Sequence, residues 1–186
     1  ATHTAHQIPP PTLVDTQHRP GRPPCMASYA SSPSCGRATG LEFMWEMGCP
    51  WNSSTCSGAA KNGHLHVVIW LRHHGCPWNA FTGHSAAEGG HVKLLMWARE
   101  NGCTLDAFTC FSAAGAGQLE TLQWLRSVGC PWSELTCRGA AHGGHLHVLQ
   151  WARANGCEWG ARTFWSAVDG GHQSVVEWLR ANGCPR

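Results

Sequence analysis

A cysteine returns every 27 residues along most of this chain, at Cys49, Cys76, Cys103, Cys130, Cys157 and Cys184. An interval held over five successive steps restricts the chain to architectures made of one repeated unit, each copy meeting its neighbours in the same way. From each cysteine the units read Cys-Pro-Trp, a variable trio, Thr-Cys, a variable residue, Ser/Gly-Ala-Ala, two variable residues and Gly-His. They close on Leu-x-Val-Leu-x-Trp-Ala/Leu-Arg-x-Asn-Gly. The regular units are 49–75, 76–102, 103–129, 130–156 and 157–183, and Cys184-Pro185-Arg186 opens a sixth, so the array 49–186 ends without a visible polar cap.

Each unit reads as two short helices. The Thr-Cys-x-Ser-Ala-Ala stretch is the first, rich in small side chains that permit close approach, and Gly-Gly or Asn-Gly before the histidine stops it. The second runs in unit one from Leu65 to about His73. There Leu65, Val68 and Leu71 fall at i, i+3 and i+6, with Val67 and Trp70 widening the stripe. Gly75, Gly102, Gly129, Gly156 and Gly183 follow it, where a left-handed residue is wanted. A single unit cannot bury such a face alone, so stacking is obligatory.

Two segments precede the array. Residues 1–24 hold six prolines and no helical period, and read as an extended proline-rich tail. Residues 25–48 read as a degenerate first unit or cap, with Leu41-Glu42-Phe43-Met44-Trp45-Glu46-Met47-Gly48 resembling the second half of a repeat. The net charge of +2 generates no strong field for nucleic acid. No apolar run approaches the roughly 18 residues of a membrane span, although a membrane-complex host remains compatible.

Eleven cysteines raise the question of a disulfide framework. Stacked helices lie about 8–10 Å apart, and a bridge needs Cα atoms within about 7 Å. Equivalent cysteines in adjacent units are therefore too distant to pair. The second column, Cys56, Cys110 and Cys137, becomes Gly83 and Phe164 in the other units. The expectation is of buried, reduced thiols that do not meet, in a reducing intracellular compartment, cytoplasmic or organellar (plastid or mitochondrion).

These residues resemble ankyrin repeats. The ankyrin sentence Leu-His-x-Ala-Ala-x-x-Gly-His-x-x-Val-Val-x-x-Leu-Leu-x-x-Gly-Ala aligns with Cys56 through Cys76. Ala59-Ala60 match the paired Ala, Gly63-His64 the Gly-His, and Val67-Val68 the paired Val. The unit is 27 residues rather than the usual 33, and the shortfall lies where the family carries its β-hairpin finger. The Gly-Cys-Pro-Trp wording is similar to short ankyrin-like repeats of algae, oomycetes and large viruses. The resemblance implies an all-α solenoid of helix-turn-helix units, with turns in place of fingers, that binds proteins and is not an enzyme. It implies no cofactor.

The repeat columns hold the candidate sites. Cys49, Cys56, His64 and His66 recur as Cys130, Cys137, His145 and His147, all legitimate zinc ligands. Gly83 and Lys93, then Gln118 and Glu120, break the pattern, so the set follows the repeat more closely than it follows a metal. Arg72, Arg99, Arg126, Arg153 and Arg180 occupy the last turn of every second helix. There a cation complements the helix dipole and can stack on tryptophan, or can present a row of guanidinium groups to an acidic partner.

Trp70, Trp97, Trp124, Trp151 and Trp178 are expected in the core. The turn column Trp51, Trp78, Trp132 and Trp159, with Leu105 in unit three, is expected to pack beneath the turn, the alternative being an exposed aromatic rail that contacts a partner. Partner specificity is expected where the units differ: Phe81, His84, Phe108, Phe111, Leu135, Arg138, Arg162 and Trp165. Phe81 and Phe108 have an alternative place behind the shortened turn. No nucleophile elbow, phosphate loop or paired carboxylate is present. The reading is a protein-interaction or scaffold module, as an accessory or linker subunit of a larger assembly whose partners are its other protein subunits. The alternatives are a soluble adaptor or effector recruiting a target protein, and a Cys/His metal or redox module.

Overall fold

The computed structural model describes Trp45, Gly48 and residues 50–186. The proline-rich tail 1–24, the cap assigned to 25–48 apart from Trp45 and Gly48, and Cys49 lie outside the described residues. Within those residues every regular element is a helix, and the helices come in pairs of nine-residue segments. They are α1 (Ser53–Lys61) and α2 (Leu65–His73), α3 (Ala80–Glu88) and α4 (Val92–Glu100), α5 (Ala107–Gly115) and α6 (Leu119–Ser127), α7 (Glu134–His142) and α8 (Leu146–Ala154), and α9 (Ala161–Asp169) and α10 (Gln173–Ala181).

The first helices begin on side-chain caps. Asn52 Oδ1 accepts from the Ser54 and Thr55 amides at 3.0 and 3.3 Å, Asn79 from the Phe81 amide at 3.1 Å, and Asp106 from the Thr109 amide at 3.1 Å. Ser133 does the same for α7, and Gly160 stands in that column with no side chain to offer. The lead residue of the variable trio is thus a helix cap.

The second helices end in a Schellman turn. In unit one the Gly75 amide bonds the Arg72 carbonyl and the Cys76 amide bonds the Leu71 carbonyl, with Gly75 at φ 76°. This places the ladder cysteine at the position that wants an apolar contact back onto the helix. Cys76, Cys103, Cys130, Cys157 and Cys184 are accordingly buried.

Neighbouring first helices run in contact along the whole stack, α1 on α3, α3 on α5, α5 on α7 and α7 on α9, whereas the second helices do not reach comparable closeness. Side-chain size explains this. The first helices face each other with Ala, Gly, Cys and Thr, and the second helices carry Leu, Val and Trp. The core lies between the two layers, built from Leu71, Leu94, Leu95, Leu122, Leu125, Leu149 and Leu179 with the valines and the paired alanines. The tryptophans expected in it stand at its edge: Trp70, Trp97, Trp124, Trp151 and Trp178 are half-buried and pack against the core from outside. An indole is too large for the space between two nine-residue helices already filled by leucine.

Candidate functional site

Two columns three residues apart share one face of each first helix. One is Ser54, Phe81, Phe108, Leu135 and Arg162; the other is Ser57, His84, Phe111, Arg138 and Trp165. In units two and three they form a continuous chain of rings. Phe81 meets His84 edge-on at 5.5 Å, His84 lies 6.0 Å from Phe108, and Phe108 meets Phe111 at 6.2 Å. Phe81 is 65% exposed and Phe108 53%, so neither fills space behind the turn. Phe111 is half-buried because its ring crosses Gly139 of the next first helix, where any Cβ would stand 3.0 Å from Phe111 Cδ2.

His84 is the fixed point of this group. Its Nε2 lies 2.8 Å from Asp106 Oδ1, and Asp106 is also the cap of α5. Burial would raise the Asp106 carboxyl, but the hydrogen bonds from His84 and Thr109 outweigh it and hold the group below its ordinary value. Leu135 and Arg138 are half-buried and continue the strip less boldly. Arg162 is exposed, and Trp165 is 53% exposed against Phe164 at 5.6 Å.

The outer edge is organised by arginine and tryptophan. Arg72 lies over the Trp78 ring at 4.5 Å, Arg126 over Trp132 at 4.3 Å, and Arg153 over Trp159 at 4.1 Å. The same guanidinium groups donate to the ladder-cysteine carbonyl of the following turn, Arg72 to Cys76 at 2.7 Å, Arg126 to Cys130 at 2.5 Å, and Arg153 to Cys157. Each turn indole then meets the helix indole of its own unit, Trp78 with Trp97 at 5.6 Å, Trp132 with Trp151 at 5.8 Å, and Trp159 with Trp178 at 5.6 Å. Three of the five arginines are thereby committed to the turns. Arg99 and Arg180 are exposed, and Arg180 and Arg186 lie over Phe164 at 5.6 and 5.8 Å.

The thiols do meet, contrary to the expectation from spacing. Partners are 20 residues apart rather than 27, because the second-column cysteine of one unit faces the ladder cysteine of the next. Cys56 Sγ is 3.4 Å from Cys76 Sγ, and Cys110 with Cys130 and Cys137 with Cys157 repeat the contact. All are free thiols. The thiol–thiol hydrogen bond and then burial hold Cys56, Cys110 and Cys137 protonated, far above the ordinary thiol range. The zinc pattern is separated by the same pairing, since Cys130 lies against Cys110 while Cys137 lies against Cys157.

The turn histidines reach a neighbour rather than their own turn. His91 Nε2 is 2.9 Å from the Lys61 carbonyl and His172 Nε2 is 2.9 Å from the His142 carbonyl, both in the preceding unit. The His145 ring faces the Gly115 carbonyl in the same way, and Gln118 Nε2 donates to the Glu88 carbonyl at 3.3 Å. Each residue thus satisfies an orphan carbonyl at the end of the previous first helix. Spacing alone does not distinguish this from a local bond; only the stack brings the two ends together.

No family model and no curated protein matches the sequence. The ankyrin repeat domain of human ASB11 matches in structure with a TM-score of 0.54, at 20% identity, over 69% of each chain. The fold is that of an ankyrin-repeat array. The likeness concerns architecture only, and 236 solved chains match this one in structure, so the function of this array rests on its own side chains.

Proposed function

We propose that this ankyrin-fold array is a non-enzymatic protein-interaction module that docks a partner on the first helices. The chain of rings Phe81–His84–Phe108–Phe111 carries the reading, because two rings more than half exposed on a rigid helix face have no folding reason to be there. Unit one carries Ser54 and Ser57 at the same positions and forms the same nine-residue helix. Aromatic side chains on a fixed scaffold are what most binding energy is drawn from in protein interfaces. Arg138, Arg162 and Trp165 extend the strip toward unit five. The most economical setting is that of an accessory or linker subunit whose partners are the other proteins of a larger assembly, in a reducing compartment.

The test replaces both exposed rings by the residue that unit one uses. Phe81→Ser with Phe108→Ser should leave the helical circular dichroism unchanged and weaken partner binding by about thirtyfold or more, the ordinary effect of losing a hot spot. A photo-reactive phenylalanine at 108 should capture one defined polypeptide in cells, and the same group at the outward Gln150 should not. Equal capture at both positions, or undiminished binding by the double variant, would sink the proposal.

A further inference from the structure

Unit three departs from the arginine–tryptophan pattern, and the departure leaves a hole. Where units two, four and five place Trp78, Trp132 and Trp159, unit three has Leu105. Leu105 does not lie outward under an arginine. It turns inward over α3, its Cδ2 3.1 Å from where a Cβ on Gly83 would stand, and so fills the volume left by the glycine that replaces a second-column cysteine. Arg99 consequently has no indole beneath it and, among the described residues, makes no bond to the following turn carbonyl. Trp124 has no turn indole beside it. Between α4 and α6 a cavity of about 350 Å³ remains, lined by Met96, Arg99, Glu100, Trp124 and Val128.

We propose that this cavity is a receptor for one tryptophan side chain of a partner protein. The chain itself shows what fits: at three equivalent places an indole lies between a guanidinium group 4.1–4.5 Å above it and a second indole 5.6–5.8 Å away. The cavity is at the lower end of the roughly 300–1,000 Å³ usual for ligand pockets, enough for a single bicyclic ring. Met96, 45% exposed, offers a thioether to the ring edge, and Glu100 places an acceptor in the wall for the indole N–H. Arg99 favours a peptide over a free indole, because in the occupied units the arginine also donates to the backbone carbonyl of the residue two before the tryptophan. This site lies on the second helices and is independent of the ring strip on the first.

The experiment titrates the protein with an acetylated Gly-Pro-Trp-Asn amide, N-acetyltryptophanamide and N-acetylleucinamide, following the Trp124 indole N–H and the Met96 methyl by NMR. The peptide should shift both resonances and bind more tightly than N-acetyltryptophanamide, and the leucine probe should not shift them. Leu105→Trp combined with Gly83→Cys, which restores the pair of residues used in units one and four, should abolish the shifts by occupying the cavity. Arg99→Ala, which leaves the core untouched, should weaken the peptide by roughly three- to thirtyfold, the range of a cation–π contact. Unmoved resonances, equal shifts from the leucine probe, or full peptide binding by Arg99→Ala would each overturn the proposal. Equal affinity for the peptide and N-acetyltryptophanamide would overturn its assignment to a protein side chain.

Discussion

Gly143 offers a test in which local propensity and inter-unit geometry predict opposite signs. It caps α7 at φ −79° and ψ −5°, an ordinary helical conformation that alanine adopts readily. Propensity alone therefore makes Gly143→Ala stabilising, by up to about 1 kcal/mol. The stack says otherwise. A Cβ at this point would stand 2.2 Å from the Gly115 carbonyl oxygen and 2.7 Å from His145 Cδ2. The obstacle is backbone of the preceding unit, so relief requires α5 and α7 to separate. Overpacking of this kind costs about 1–3 kcal/mol, and displacing the His145 ring from the Gly115 carbonyl adds about 1 kcal/mol.

The expected net destabilisation is about 1–3 kcal/mol, a fall in melting temperature on the order of 5 °C for a domain of this size. Urea and thermal denaturation followed by circular dichroism measure it. Gly115→Ala is the control: its Cβ would meet nothing closer than 3.7 Å, so it should be neutral or slightly stabilising. Unit three already carries alanine at the cap, Ala116, and there Gln118 reaches its carbonyl at 3.3 Å instead of 2.9 Å. Transplanting that pair as Gly143→Ala with His145→Gln should recover part of the loss. A Gly143→Ala protein at least as stable as the parent would refute the steric account of the junction.

Two further outcomes follow from side chains at the junctions. Burial, with the neighbouring His147, holds the His145 imidazole below its ordinary value of 6.5. Below that pH the unfolded chain takes up the proton more readily than the folded one, so stability is complete above about 6.5 and declines as pH falls through the window beneath it. His145→Gln should flatten part of that decline in chemical denaturation from pH 7.5 to 5, and an unchanged slope would remove His145 from the account. For the thiols, mild oxidation with diamide followed by peptide mapping should yield bridges of 20-residue spacing, Cys56–Cys76, Cys110–Cys130 and Cys137–Cys157. A majority of 27-residue bridges would contradict the observed pairing.

Periodicity carried the architecture because it reports what each unit does locally. The Leu65–His73 helix, the left-handed Gly75 and the shortened turn are all consequences of residues within one unit, and the structure places them as spacing predicts. The contacts between units were not legible in the same way. Spacing compares Cys49 with Cys76, which are equivalent, and is silent on Cys56 with Cys76, which touch. The reach of His91 to the Lys61 carbonyl was hidden for the same reason. The strip residues were found as departures from the repeat, but their exposure was not, since Phe81 behind a turn and Phe81 in solvent read identically. One signal was available and missed: Gly83 and Leu105 are departures in two columns that meet, and a compensating pair could have been inferred from them.

The difference in closeness between the two helix layers gives the array a spine and pages. Along the first helices, glycine and alanine hold backbone against backbone, so the pitch of the ring strip is set by contacts that admit little travel. Along the second helices the joints are made by tryptophan edges and arginine stems, which hold the layer less tightly. The two faces therefore suit different kinds of partner. The strip measures a partner against a fixed ruler, whereas the gap between Arg99 and Trp124 is a single socket cut to one indole. Hydrogen exchange should show it, with the amides of α3, α5 and α7 slower than those of α4, α6 and α8.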